Sequence, residues 1–353
     1  IKNGNMSTLN CPEEVKLAEK LIEINPWAHM VRLARTGGEA NAIAIRIARA
    51  ASAKDGVAIC GYHGWHDWYL SANHNKANEL EDHLLPGLDP LGVPKSLSQT
   101  VFPFKYNNYD ELVDIIDKND IGVIKMEVFR NIEPENDFLQ KVRNLANEKN
   151  IVLIFDECTS GFRETFGGIY KKYNVEPDMA MYGKTLGNGY AITAVVGKEE
   201  VMRAAQNTFI SSTFWTERIG PAAAIKTLEV MEKLKSWEII TEIGKKVRNT
   251  WTGLANENDL EIEIYGLPAI SSYSFNNNNL KYKTFITQEM MKKGILASTN
   301  FYASIAHHDK FLEVYFNELS KVYRLISKFE KGEKNIDDFL EGEVCHNGFQ
   351  RLN

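Results

Sequence analysis

The sequence predicts an α/β protein with a large domain on a mostly parallel, doubly wound sheet and a smaller C-terminal α/β domain. Three observations predict it. Short apolar runs alternate with helical patterns from Val31 to Lys184, the order that winds helices onto both faces of a sheet. The run Ile151-Val152-Leu153-Ile154-Phe155 is apolar throughout, as a strand covered on both faces requires, and it ends in Asp156-Glu157. The length of 353 residues suits about two domains of roughly 150 residues each, placed at 1–256 and 257–353.

In chain order, Cys11-Pro12-Glu13-Glu14 opens a helix with acids in its first turn and apolar positions at Val15, Leu17, Ala18, Leu21 and Ile22. Met30 to Ala34 reads as a strand, followed by Thr36-Gly37-Gly38 and a helical pattern through Ala53. A strand, a glycine turn and a helix N-terminus direct free N–H groups and the helix dipole at one place, which suits an anion; the plainer reading of Gly37-Gly38 is a turn. Val57 to Cys60 is a second strand, delivering Tyr62-His63-Gly64-Trp65-His66-Asp67. With no further ligand nearby, these histidines read as hydrogen-bonded rather than metal-bound.

Ser71 to Pro94 is a long polar loop of the kind that is either functional or without fixed structure. A helix from Asp110 precedes the strand Ile121 to Met126, which ends at Glu127; a helix from Phe138 to Lys149 leads back to the central strand. Ile192 to Gly197 is a strand, Glu199 to Gln206 a helix, and Pro221 starts a helix that runs through Lys235. The small domain is expected to hold strands at Leu260 to Tyr265 and Ala269 to Phe275 and a helix at Phe285 to Lys293, with Asn276 to Asn279 as a surface turn.

A net charge of −6 without a basic block argues against nucleic acid or an anionic membrane as partner. No apolar run approaches the ~18 residues of a spanning helix and no signal peptide opens the chain, so a cytoplasmic location is expected. Cys11, Cys60, Cys158 and Cys345 are scattered, which suits neither a disulfide framework nor a zinc site.

The chemistry concentrates between Asp156 and Lys184. An acid at the carboxyl end of a buried strand calls for a cationic partner, and Lys184, between glycines in Gly183-Lys184-Thr185-Leu186-Gly187, is open to an aldehyde. This suggests a Schiff base between Lys184 and pyridoxal 5'-phosphate, with Asp156 keeping the pyridine nitrogen protonated. The plainer reading is a common strand end and a turn. A P-loop is excluded, because Asp178 stands where its first glycine belongs.

The run Ile154-Phe155-Asp156-Glu157-Cys158-Thr159-Ser160-Gly161-Phe162-Arg163, with Phe166-Gly167-Gly168, Pro177-Asp178 and Gly183-Lys184, resembles the signature of the class III, fold type I pyridoxal-phosphate aminotransferases. The likeness runs from about Thr8 to about Ser304 and is greatest to the branch of glutamate-1-semialdehyde 2,1-aminomutase-like enzymes. It implies that Lys184 and Asp156 are catalytic. It also implies that the backbone of Thr36, Gly37 and Gly38 holds the cofactor phosphate; the family carries Ser-Gly-Thr here, so a hydroxyl contact at 38 is lost. Tyr62, in the intact Tyr-His-Gly motif with His63, is implied to stack on one face of the pyridine ring, with Cys158 replacing the usual valine on the other.

Glu127 is implied to lie near the site, but Val128-Phe129-Arg130 replaces the family's proline continuation and leaves its role open, with Arg130 a candidate for the pocket. Thr213 matches a threonine that reaches a partner subunit's phosphate, so the resemblance implies a homodimer with shared active sites. The family begins well before Thr8, so the chain is expected to lack the family's N-terminal segment. No arginine between Gly294 and His308 is available for a 2-oxoglutarate carboxylate, as in the aminomutase branch.

The function implied is transfer of an amino group between an amine donor and a keto or aldehyde acceptor. The remodelled segments 127–130 and 215–218 favour transamination over the aminomutase alternative, and Trp215 with Glu217 suits a bulky hydroxyl- or amine-bearing substrate such as a sugar. The remaining alternative is a catalytically inactive subunit of the same fold.

Overall fold

A strand buried on both faces needs neighbours on both edges, and Val152–Glu157, buried at every residue, has them. The structure is a computed structural model that describes all residues except 1, 3, 6–8, 76–78, 81, 82, 84–88, 130 and 349–353. It contains two compact units, Ile1–Lys235 and Ser236–Asn353.

In the first unit, β1 (Met30–Ala34), β2 (Gly56–Cys60), β3 (Val101–Pro103), β4 (Ile121–Glu127), β5 (Val152–Glu157), β6 (Met179–Tyr182) and β7 (Thr193–Gly197) form a seven-stranded sheet in the order β1-β7-β6-β5-β4-β2-β3. Strands β3, β2, β4, β5 and β6 are mutually parallel. β7 is antiparallel to both β6 and β1, so β1 recovers the direction of β6. The helix Gly37–Ser52 lays Ala40, Ile43, Ala44, Ile47 and Ala48 across one face, against Val57, Ile59, Val123, Ile154, Met181 and Val195. The helices Tyr109–Lys118 and Phe138–Glu148 pack on β2 and β5. Residues alternate between faces along a strand, so Lys125, two after Val123, is sent to the helix-covered face.

In the second unit, β8 (Ile262–Leu267), β9 (Ile270–Phe275) and β10 (Asn300–Tyr302) form an antiparallel sheet in the order β10-β9-β8. Its core joins Tyr273 and Phe275 to Trp251, Phe285, Leu312, Tyr323 and Ile326 from the helices Ser236–Glu257, Asn279–Met291 and Asp309–Glu330. The first of these helices lies before the boundary placed at 256, yet its Val247, Trp251 and Leu254 belong to this second core. Among the described residues no helix is long and apolar enough to cross a membrane.

Candidate active site

Five parallel strand ends deliver side chains or turns to one edge of the first sheet. Thr36 follows β1, Gly61 to His63 follow β2, Glu127 closes β4, Asp156 lies in the last turn of β5 with Cys158 just beyond, and Lys184 follows β6. The carboxyl edge of an open α/β sheet is where ligands bind.

At one end, Thr36 caps the helix Gly37–Ser52, its hydroxyl accepting from Glu39 N at 3.2 Å. A Cβ at Gly37 would meet open space, whereas one at Gly38 would overlap the His66 imidazole. Gly64, at φ +94°, brings its own Cβ position to 3.2 Å from Gly38 Cα, so the turn after β2 closes on this helix start. His66 stacks on Trp65 with ring centroids 4.7 Å apart. Its Nδ1 is buried and has no hydrogen-bond partner among the described residues. An imidazole thus fills the volume that a side chain at position 38 would need. Sequence reasoning registered the lost hydroxyl at 38 but not its replacement, because the residue that fills the gap comes from another strand end.

At the other end, Asp156 gathers three partners. His63 Nδ1 lies 2.9 Å from Oδ2, Lys125 Nζ 3.6 Å from the same oxygen, and Cys158 N donates to Oδ1 at 3.1 Å. Burial would raise the Asp156 pKa, but Lys125, His63 and the Cys158 N–H together outweigh it and hold the carboxyl well below the usual range. Burial pushes His63 down to about 4 against the pull of Asp156, so near neutrality the ring is neutral and its Nδ1–H donates to the carboxylate. Its Nε2 is buried without a partner among the described residues. Lys125 is 0% exposed, its Nζ 2.9 Å from Met181 Sδ, and burial lowers its pKa although Asp156 opposes this. No reading of the sequence singled it out. The available signal was a lysine within the otherwise apolar run Ile121 to Met126.

Glu127 turns out to act on the backbone of its neighbour. Its Oε2 accepts from Tyr62 N at 3.0 Å, and a Cβ at Gly61, φ +112°, would stand 2.5 Å from that oxygen. Only glycine allows this approach. Glu127 therefore fixes the turn that presents Tyr62, whose ring is 37% exposed and meets Tyr69 edge-on at 6.2 Å. Arg130 lies outside the described residues.

Cys158 and Lys184 meet through Gly183, whose Cβ position is 3.1 Å from Cys158 Sγ and 3.3 Å from Thr193 Cγ2. Burial first, then Asp156, push the Cys158 thiol well up, so it remains protonated. Thr193 Oγ1 donates to Thr36 O at 3.3 Å, tying the helix start to the lysine turn. Lys184 itself has φ +39°, a left-handed conformation that costs a side-chain-bearing residue of order 1–3 kcal/mol. Its Nζ donates to Thr159 Oγ1 at 2.8 Å.

Thr213 is the candidate not drawn in. It lies exposed in a turn, and among the described residues no hydrogen bond or ion pair joins it to the others. The residues beside it have internal tasks. Arg32 lies over the Trp215 ring at 3.7 Å. Glu217 accepts from the backbone N–H groups of Ile219 and Gly220 at the start of helix Ile219–Leu234 and pairs with Arg35 at 3.4 Å. A carboxylate so engaged is a helix cap.

The assembled set fits a phosphorylated heteroaromatic aldehyde. It offers free N–H groups, an unpartnered imidazole nitrogen, an open aromatic face, an ionised buried carboxylate and an accessible amine.

Comparison with known proteins points the same way. The family described as aminotransferase class-III matches residues 4–307. The 3-aminobutyryl-CoA aminotransferase of Cloacimonas acidaminovorans is 33% identical over 327 residues, covering 89% of this chain and 72% of that protein. The glutamate-1-semialdehyde 2,1-aminomutase of Methanothermobacter thermautotrophicus is 31% identical over 292 residues, covering 80% and 68%. Among solved structures, the FumI protein of Sphingopyxis sp. MTA144 superposes with a TM-score of 0.83 at 21% identity, covering 94% of this chain and 79% of that one. A transaminase with PLP bound gives 0.83 at 19%, covering 94% and 81%. At these identities the structural likeness is one of fold.

Proposed function

We propose, from the premise that this chain belongs to the class-III aminotransferase family and is an enzyme of amino-group transfer with pyridoxal 5'-phosphate as cofactor, that it is an intermolecular transaminase working through Lys184. The cofactor supplies an electrophilic carbon that exchanges amines and a ring that accepts electrons. The chain supplies the rest. The N–H groups at the start of helix Gly37–Ser52, with His66, would hold the phosphate. Tyr62 and Cys158 would flank the ring, and Asp156, steadied by neutral His63, would face its nitrogen. Lys184 Nζ, parked on Thr159 when disengaged, takes the proton from the substrate carbon that bears nitrogen. The observation that carries this reading is the placement of the lysine: its Nζ reaches Thr159 Oγ1 at 2.8 Å from a turn whose Gly183 packs on Cys158, next to the buried Asp156.

Transamination is favoured over isomerisation because Glu127 positions Tyr62 here while Val128 and Phe129, buried in place of the family's proline continuation, reshape the wall next to it. Thr213, exposed and unengaged, suits a contact to a second copy, so the working form in this reading is a homodimer. The test is to convert the holoenzyme to the amine form of its cofactor and offer glutamate-1-semialdehyde alone. The expected result is no accumulation of 5-aminolevulinate, with or without an external amine donor, because the isomerisation consumes none. Efficient formation without a donor overturns the reading in favour of the mutase.

A further inference from the structure

We infer that Lys125 is a positioning residue that weakens the hold of Asp156 on a proton at the cofactor's pyridine nitrogen. The inference rests on the reading of Asp156 as that nitrogen's partner.

A lysine fully removed from solvent in the middle of a β-strand is costly, and such groups persist only when something pairs with them. The strand register surrounds Lys125 with Ile59 on β2 and Ile154 on β5, and its tip touches Met181 on β6. The carboxylate at 3.6 Å is Asp156. The ionisable groups around this pair are His63, Cys158, Glu127 and the neighbouring Glu157, whose carboxyl is pushed up by burial and takes hydrogen bonds from Ser160 and Tyr170 N. His63 is neutral, the Cys158 thiol is protonated, and Glu127 is turned to the Tyr62 N–H. Among the described residues, Lys125 is the lysine side chain within ion-pair distance of the Asp156 carboxylate, beside neutral His63.

A carboxylate that already faces an ammonium gives less to a second cation. With Lys125 charged, the pair sums to zero and a protonated pyridine adds an uncompensated positive charge in a dry site; without Lys125, the same proton would be matched by Asp156 alone. The lysine therefore lowers the proton affinity of the ring nitrogen and leaves the ring a weaker electron acceptor than an unpaired aspartate would. An opposite charge this close commonly changes a proton affinity by about tenfold or more. Lys125 also keeps Asp156 ionised and fixed when no ring is present.

The test uses holoenzyme loaded with pyridoxal phosphate labelled with 15N in the ring, whose chemical shift separates protonated from unprotonated pyridine. Lys125→Met, close in shape and uncharged, is expected to raise the nitrogen's proton affinity about tenfold, and Lys125→Gln to do the same, so a folding defect in one variant does not decide the outcome. Asp156→Asn is expected to move the shift the other way. If the lysine variants titrate as the parent does while Asp156→Asn responds, the Lys125 inference is overturned and the Asp156 reading stands. If no variant responds, the Asp156 reading fails and the inference falls with it. In the cofactor-free protein, denaturant unfolding of Lys125→Met, Asp156→Asn and the double variant is expected to be non-additive; additive losses overturn the pairing.

Discussion

Asp156 faces two tasks, and removing its charge separates them. Asp156→Asn leaves Lys125 as an unmatched buried cation, a loss of about 3–5 kcal/mol in similar cases. It also removes the carboxylate proposed as partner of the ring nitrogen. The expected outcome is a folded protein of lower melting temperature that still takes up cofactor but turns over at least about a hundredfold more slowly. Parental turnover would remove Asp156 from the assignment. Lys184, Asp156, Thr36 and Tyr62 were legible in the sequence because each rides on a local motif that ends a strand. Glu127 was singled out with its role left open, while Lys125 and His66 were visible as residues but not as participants. Their partners lie on other strands, so the contacts appear only once the register of β2, β4 and β5 is fixed.

At the scale of elements, the start of helix Gly37–Ser52 and the turn after β2 are matched in volume. Gly38→Thr restores the family's residue yet drives a side chain into His66. Overpacking of this kind costs about 1–3 kcal/mol, so cofactor affinity is expected to fall, and Gly38→Thr combined with His66→Ala to recover it; equilibrium titration of the apoprotein reads both. The end of β5 holds a second device. Glu157 is fully buried and takes hydrogen bonds from Ser160 and from Tyr170 N, yet burial pushes its pKa up to about 7. A carboxyl raised in the fold stabilises it fully below its unfolded pKa, and this contribution is lost as pH rises through the folded value. Between pH 4.5 and 7 the loss amounts to about 3 kcal/mol at most, and Glu157→Gln is expected to flatten the fall in denaturation midpoint over that range.

Most helices and strands were readable from periodicity, but β3 and β10, three residues each, are too short to carry a pattern. The helix Asp309–Glu330 did carry one, with Leu312, Tyr315, Leu319, Val322 and Ile326 all buried at helical spacing.

At the scale of the molecule, the one candidate left outside the cluster makes a prediction about assembly. If Thr213 completes a neighbour's phosphate site, Thr213→Ala loosens cofactor retention without lowering the melting temperature of the apoprotein, and dilution below the dimer's dissociation constant releases cofactor. Undiminished retention by a monomer contradicts the shared site. The sheet order carries a further consequence, in time rather than space. β1 lies at the edge of the sheet and pairs with β7 alone, Met30 facing Gly197. Thr193, at the head of β7, is also the residue that bonds Thr36 and flanks Gly183. On the ribosome, residues 30–34 have no strand to join in this register until residues 193–197 have left the exit tunnel. A cleft that draws on both the helix start after β1 and the lysine turn is therefore assembled on completion of the large sheet rather than on its nucleation.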